Sequence, residues 1–352
     1  MADKYVAYVG TYTHENSVGI YVYDLDPDTG ILKERSVAPI NNPSYLCLSY
    51  DGHFLYSIAD EGVASFSVDE NGDLTRINQK WIGGMRGCFV DIDHERRYLF
   101  VGGFHDGRVT MMALNPDGSV GEIADGIFHQ GVGVSATERR LDHPKVSCVK
   151  LTPDEKFLCA ADYGLNQVKV YRVDYKRGKL HLEDIIRTEL DAAPRALRFS
   201  KDGKYCYILN EQANTIEVYT YEVVDDEPVF NQIQVAPVMD EEFMTAASSN
   251  LGLSWDDKYI YVAIDGLNGV SCMERNLEDG TLKFKSNTLI SGDYPKTIAV
   301  LPGNKFYVVL NHDTNDIRSF EIYHDKGYCL MKNPPVHVNK PNCIRILNLS
   351  NR

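Results

Sequence analysis

No stretch of this 352-residue chain approaches the ~20 consecutive apolar residues that a membrane-crossing helix needs. The opening Met1-Ala2-Asp3-Lys4-Tyr5 has no charged segment followed by an apolar one, so nothing in it argues for export. Basic residues are scarce: 36 Lys and Arg stand against 50 Asp and Glu, a formal charge of −14. A nucleic acid or an anionic membrane needs a basic stripe to bind, and this balance argues against both as partners. The eight cysteines include no CxxC pair and no Cys/His cluster at zinc spacing, and most lie in apolar runs. They read as small buried hydrophobes rather than as a disulfide framework, a metal set or a catalytic thiol. There are only two tryptophans, and the one Trp-Asp pair, Trp255-Asp256, falls at a turn, which argues against WD repeats. No ten-residue window carries helical periodicity. With 43% hydrophobic and 24% charged residues, the composition is that of a globular cytoplasmic protein acting on something small or on another protein.

What the sequence does have is a repeat. An apolar strand, a tight Asp/Gly turn and a second apolar strand appear most clearly in Ser44-Tyr45-Leu46-Cys47-Leu48-Ser49-Tyr50-Asp51-Gly52-His53-Phe54-Leu55-Tyr56. The turn returns at Glu95, Asp154, Asp202, Asp256 and Gly303, at intervals of 44 to 59 residues. A third strand of near-strict alternation follows, as in Gln167-Val168-Lys169-Val170-Tyr171-Arg172-Val173, then another turn and a short fourth strand. Period-2 apolarity between Asp/Gly turns is a hairpin meander, and this spacing is that of propeller blades. The chain begins with a second-strand sequence, Tyr5 to Thr11, and ends with a first-strand sequence, Pro341 to Leu347. Together these make one further blade, and pairing them removes two exposed sheet edges. The fold predicted is all-β: a single-domain seven-bladed β-propeller with four antiparallel strands per blade, closed by its terminal strands.

Fold alone does not name a function, so the site must come from equivalent positions. First-strand starts read Ser44, Cys88, Ser147, Arg195, Ser249, Lys296 and Asn342; second-strand ends read Tyr12, Asp60, Phe104, Tyr163, Glu211, Asp265 and His312. In a propeller both columns ring one channel mouth. Arg86, Lys145, Arg195 and Lys296 concentrate positive charge there in an acidic protein, which suits a small anion such as a carboxylate or phosphate. The plainer alternative is a set of rim cations paired with Asp60, Glu211 and Asp265. Arg195 and Glu211 belong to one blade and are expected to face each other across adjacent strands.

Several segments resemble the propeller lactonase family, which includes 6-phosphogluconolactonases of the propeller type and the carboxy-muconate lactonizing enzyme. They are Tyr8-Val9-Gly10-Thr11-Tyr12-Thr13, Gly19-Ile20-Tyr21-Val22-Tyr23, Asn42-Pro43-Ser44-Tyr45-Leu46, Pro194-Arg195-Ala196-Leu197-Arg198-Phe199 and Ile208-Leu209-Asn210-Glu211. The resemblance runs from Tyr5 to Leu347. It implies a channel-mouth site combining His, Arg and Glu, with no obligatory metal or other cofactor. It places the arginine on Arg195 (followed by Ala196 where the family has His) and the glutamate on Glu211. His129-Gln130-Gly131-Val132-Gly133 and Arg139-Arg140-Leu141 resemble two further family stretches. The family's His-x-His falls on Lys145 and Ser147, with His143 two residues away. Its Asn-Arg-Gly reads Ile264-Asp265-Gly266 here, and Lys296 stands in a Pro-Lys where Pro-Arg is frequent.

Hydrolysis of an anionic sugar lactone, 6-phosphogluconolactone above all, is the leading expectation. Opening a lactone needs an activated water, a donor for the oxyanion and a cationic hold on the tail. Glu211 or His143 is the candidate base, and Arg195 the oxyanion and carboxyl clamp. Arg140, Lys145, Lys296, His312 and Asp265 are the candidate substrate contacts. Lyase or cycloisomerase chemistry on a carboxylated lactone or a muconate-type acid uses the same residues. A binding propeller that has lost its catalytic set is a third reading. A calcium site of Glu211, Asp60 and Asp265 is a fourth.

Overall fold

The computed structural model describes residues 3–60, 62–133, 143–240 and 246–352. The chain is a seven-bladed β-propeller of antiparallel sheets. The terminal strand Pro341–Asn348 pairs with Tyr5–Thr11, followed in the same sheet by Gly19–Asp26 and Ile31–Pro39. Counting this as the first blade, the fourth runs Val146–Leu151, Phe157–Asp162, Gln167–Asp174, Lys179–Arg187, and the fifth Pro194–Phe199, Tyr205–Asn210, Thr215–Val224, Glu227–Pro237. The seventh carries an added two-residue strand, Val336–His337, on its third strand. By contacts the chain forms two compact units. One is Met1–Ser57, Phe66–Arg76 and Pro237–Arg352; the other is Ile58–Ser65 and Ile77–Ala236. Among the described residues no helix is long and apolar enough to cross a membrane.

The repeated turn has a chemical cause. In Ser49/Asp51/Phe54, Thr152/Asp154/Phe157, Ser200/Asp202/Tyr205 and Ser254/Asp256/Tyr259, a hydroxyl donates to the aspartate at 2.5–2.7 Å. The same hydroxyl accepts the amide of the aromatic residue that opens the next strand, at 2.9–3.1 Å. An Asp-plus-hydroxyl turn satisfies the backbone where the ladder cannot. In the first unit, alternate residues of the strands then bury Val9, Tyr23, Val308, Leu310, Ile317 and Ile344 in one cluster and Tyr261, Val270, Ile298, Val309 and Phe320 in another.

Entry into the first strand of a blade is also a repeated device. Asn42, Ala193, Tyr294 and Lys340 all have left-handed φ of 49–57°, and each is followed by a proline. The amides of Ala193, Tyr294 and Lys340 donate to the side chains of Asn166, Asn268 and Asn315, which sit in the preceding blade's hairpin turns. After the proline comes a bulge: the ladders skip Arg195, Lys296 and Asn342, and likewise Ser147 and Ser249. A bulge re-aims one side chain out of the alternating pattern. Ser147 uses this freedom to donate to Pro194 O at 2.8 Å, and Ser249 donates to Pro295 O, so blade is tied to blade. Arg195 and Lys296 occupy the equivalent positions with charge.

The fourth blade holds a buried carboxylate. Asp162 is fully buried; its Oδ2 lies 2.6 Å from His129 Nδ1, and His129 Nε2 lies 3.0 Å from the Tyr171 hydroxyl. A neutral ring with its proton on Nδ1 donates to the aspartate and accepts from the phenol, so both nitrogens are satisfied. This Asp–His pair resembles part of a catalytic triad, but the far nitrogen is capped by tyrosine inside the protein and its role is structural. Burial lowers the His129 pKa below the ordinary histidine value, against the opposing pull of Asp162. As pH falls through about 6.5 the unfolded chain takes up a proton that the folded ring resists, so this contribution is full above that pH and is lost below it. Unfolding free energy from urea titrations should therefore decline between pH 7 and 5 in the wild type. His129→Asn, which keeps a donor to Asp162, should show a shallower decline; equal slopes would assign the effect to other groups.

Candidate functional site

Within the second unit, Arg195 and Glu211 meet. Pro194 pairs with Asn210 at the edge of the ladder, so the bulged Arg195 and the residue just past Asn210 emerge at the same end. Arg195 Nε lies 3.4 Å from Glu211 Oε2, and both side chains are part-buried. The Tyr163 hydroxyl donates to Glu211 Oε1 at 3.2 Å and accepts from Gln212 Nε2 at 2.9 Å. Burial first, then the charge of Glu211, pushes the Tyr163 pKa up to about 12, so the phenol keeps its proton and acts as a donor. Phe104 lies beneath, edge-on to Tyr163, with the Arg195 guanidinium 5.7 Å from its ring centre. The main chain fixes the base of this group: Glu211 N–H donates to Ala193 O at 2.9 Å. Ala193 is buried in the left-handed region, which disfavours a residue bearing a Cβ by about 1–2 kcal/mol, and the hydrogen bond its N–H donates to Asn166 Oδ1 helps hold it there. A carboxylate is thus held between a guanidinium and a phenol.

Lys145 and His143 flank this centre. The Tyr163 amide donates to Lys145 O at 2.8 Å, so one tyrosine contacts the Lys145 backbone at one end and Glu211 at the other. Lys145 Nζ lies 3.3 Å from His143 Nδ1. An ammonium donating to Nδ1 requires that nitrogen to be the acceptor, and the pair offers a cation and an imidazole side by side. Arg86 is 3.5 Å from Asp60, as rim pairing predicts.

Within the first unit, Asp265 and His312 both feel the charge of Lys296. Lys296 donates to the Tyr294 hydroxyl at 2.6 Å, and its ammonium lies 4.5 Å from that ring's centre. His312 stands edge-on to Tyr12 and Tyr294, each at 5.6 Å, and its buried Nδ1 has no hydrogen-bond partner among the described residues. Burial, helped by Lys296 and Lys340, lowers its pKa to about 4, so the ring is neutral at physiological pH. Desolvation raises the Asp265 pKa, with Lys296 opposing and Asp293 and Asp313 adding to the rise.

Arg140 lies outside the described residues. His129, which the resemblance places in a family motif, is the buried partner of Asp162. Sequence reasoning set Tyr163 in the right column without a role, because only the fold puts its hydroxyl on Glu211; it missed Gln212, whose adjacency to Glu211 was the available signal. Asp162 was missed too, its partner His129 being 33 residues away. Among the described residues no three His, Cys, Asp or Glu side chains gather to hold a metal ion.

Comparison with known proteins gives the family. The model described as "Lactonase, 7-bladed beta-propeller" matches residues 6–346. The 6-phosphogluconolactonase of Bacillus subtilis (strain 168) is 28% identical over 352 residues, covering 98% of this chain and 99% of the relative. The solved periplasmic gluconolactonase of Pseudomonas aeruginosa is 27% identical with a TM-score of 0.91, over 98% of this chain and 99% of that one. A solved protein from Lactobacillus plantarum is 26% identical with a TM-score of 0.89, over 99% and 100%. With the match spanning nearly every residue, the chain belongs to the seven-bladed β-propeller lactonase family and is a lactonase.

Proposed function

We propose that this lactonase hydrolyses a sugar lactone with an anionic tail, of the 6-phosphogluconolactone type, at the Arg195–Glu211 centre. The observation that carries the reading is Glu211 held between Arg195 and Tyr163. A water on Glu211 attacks the lactone carbonyl carbon, and the carboxylate takes its proton. The carbonyl oxygen, becoming an oxyanion, is met by the Arg195 guanidinium. The acyl C–O bond of the ring then breaks, and the proton on Glu211 passes to the departing ring oxygen. The product carboxylic acid ionises and releases one proton to solvent. A preorganised cationic donor suits this step because it needs no reorganisation as charge develops. Lys145, with His143 against it, is the natural contact for the anionic tail. The relatives named for 6-phosphogluconolactone and gluconolactone support the substrate class.

Proton release from 6-phosphogluconolactone by purified protein tests this. Arg195→Ala should lower kcat by about 100- to 1,000-fold, the usual cost of losing an oxyanion donor. Glu211→Gln should lower it by about 100-fold or more, as for a general base. Unchanged rates in both would remove this centre from the chemistry. Turnover of a muconate-type acid without lactone hydrolysis would instead favour the cycloisomerase reading. Lys145→Met should raise KM for 6-phosphogluconolactone by about tenfold while leaving KM for glucono-δ-lactone nearly unchanged, the signature of a lost tail contact. A rise of equal size for both lactones would place Lys145 elsewhere in the site.

A further inference from the structure

We propose that Asp162 is a positioning residue of the lactonase site, setting Lys145 for the substrate's anionic tail; this rests on the reading of Lys145 given above. Lys145 lies just beyond the fourth-blade ladder, whose first pair is Val146 with Asp162, so no neighbouring strand takes its amide. The Asp162 side chain takes it instead: Oδ1 accepts from Lys145 N at 2.8 Å and from Gly164 N and Leu165 N at 3.1 Å each. Oδ2 takes His129 at 2.6 Å. One buried carboxylate therefore grips both described ends of the chain between His129 and Lys145, together with the hairpin beside them.

The packing around this carboxylate is equally tight. A Cβ on Gly164 would meet His143 O at 1.8 Å, so the backbone leading into Lys145 lies directly on a glycine that admits no side chain. Gly107, at φ 61°, abuts Pro144 and accepts the amide of His129 at 2.8 Å. Asp162 is fully buried and touches no substrate, so its influence must pass through the residues it holds. Losing its charge should loosen the Lys145 backbone, and with it the ammonium, while Arg195 and Glu211 keep their own anchors in the fifth blade.

The test is a double-mutant cycle read on KM and kcat for 6-phosphogluconolactone and glucono-δ-lactone. Asp162→Asn keeps an oxygen for the three amides, and circular dichroism establishes that it folds. It should raise KM for the phosphorylated lactone by about three- to tenfold with kcat within about twofold, and it should add nothing in the Lys145→Met background, as coupled residues behave. Additive effects would overturn the proposal while leaving the role of Lys145 standing. No effect of Lys145→Met would remove the reading of Lys145 and this proposal with it. If Asp162→Asn does not fold, His129→Asn weakens the same grip while leaving Asp162 charged. It should produce a smaller KM rise that vanishes in the Lys145→Met background, and an additive rise there would again overturn the proposal.

Discussion

Each blade is entered under constraint, and the site follows from how that constraint is met. A residue in the left-handed region, a proline and then a bulged residue open the first, fifth and seventh blades. In all three, an asparagine in the preceding blade's hairpin turn holds the amide of the left-handed residue. In five blades the bulge frees one side chain from the alternation that otherwise sends it into the core or onto the sheet face. Three of the five bulged residues serve architecture: Ser147, Ser249 and Asn342 donate across to the next blade. Arg195 spends the same freedom on a carboxylate, so chemistry occupies a position that the scaffold already provides.

The acidity that dominates the composition has a local origin. Asp69, Asp117, Asp174 and Asp279 sit in hairpin turns, where their carboxylates accept nearby amides. For Asp117 and Asp279 the hydroxyls of Ser119 and Thr281 contribute most, for Asp69 and Asp174 the amides, and all four pKa values lie below the ordinary carboxylate value. Much of the negative charge is thus the cost of making tight turns many times over. The small anionic substrate proposed above is compatible with it, because that proposal places it against Arg195 and Lys145 and not against the turns.

The fold was legible because a blade is a local object. Alternation, Asp turns and spacing are all read within some fifty residues, and the split blade at the termini followed from which strand was missing at each end. The Arg195–Glu211 pair was legible for a related reason, since both residues lie at the ends of one hairpin's two strands. Tyr163 and Asp162 were not. Tyr163 takes its role from the neighbouring blade, and Asp162 from three segments that only packing brings together. His129 shows the same limit from the other side: a histidine in a glycine-rich stretch suggests a site residue, and burial against Asp162 and Tyr171 makes it structural.

In the proposed reaction Glu211 takes a proton from water while Arg195 holds the same carboxylate. At 3.4 Å through Nε, with both groups part-buried, the pair is looser than the 2.7 Å buried contact of Arg275 with Asp257 in the same protein. The Tyr163 phenol, itself unable to ionise near neutrality, holds the other carboxylate oxygen in place without adding a second positive charge. A lactone carbonyl is reactive enough to need only modest assistance from a base, whereas the oxyanion it becomes gains most from a fixed cation. In the mechanism proposed above, the fixed cation therefore counts for more than the strength of the base.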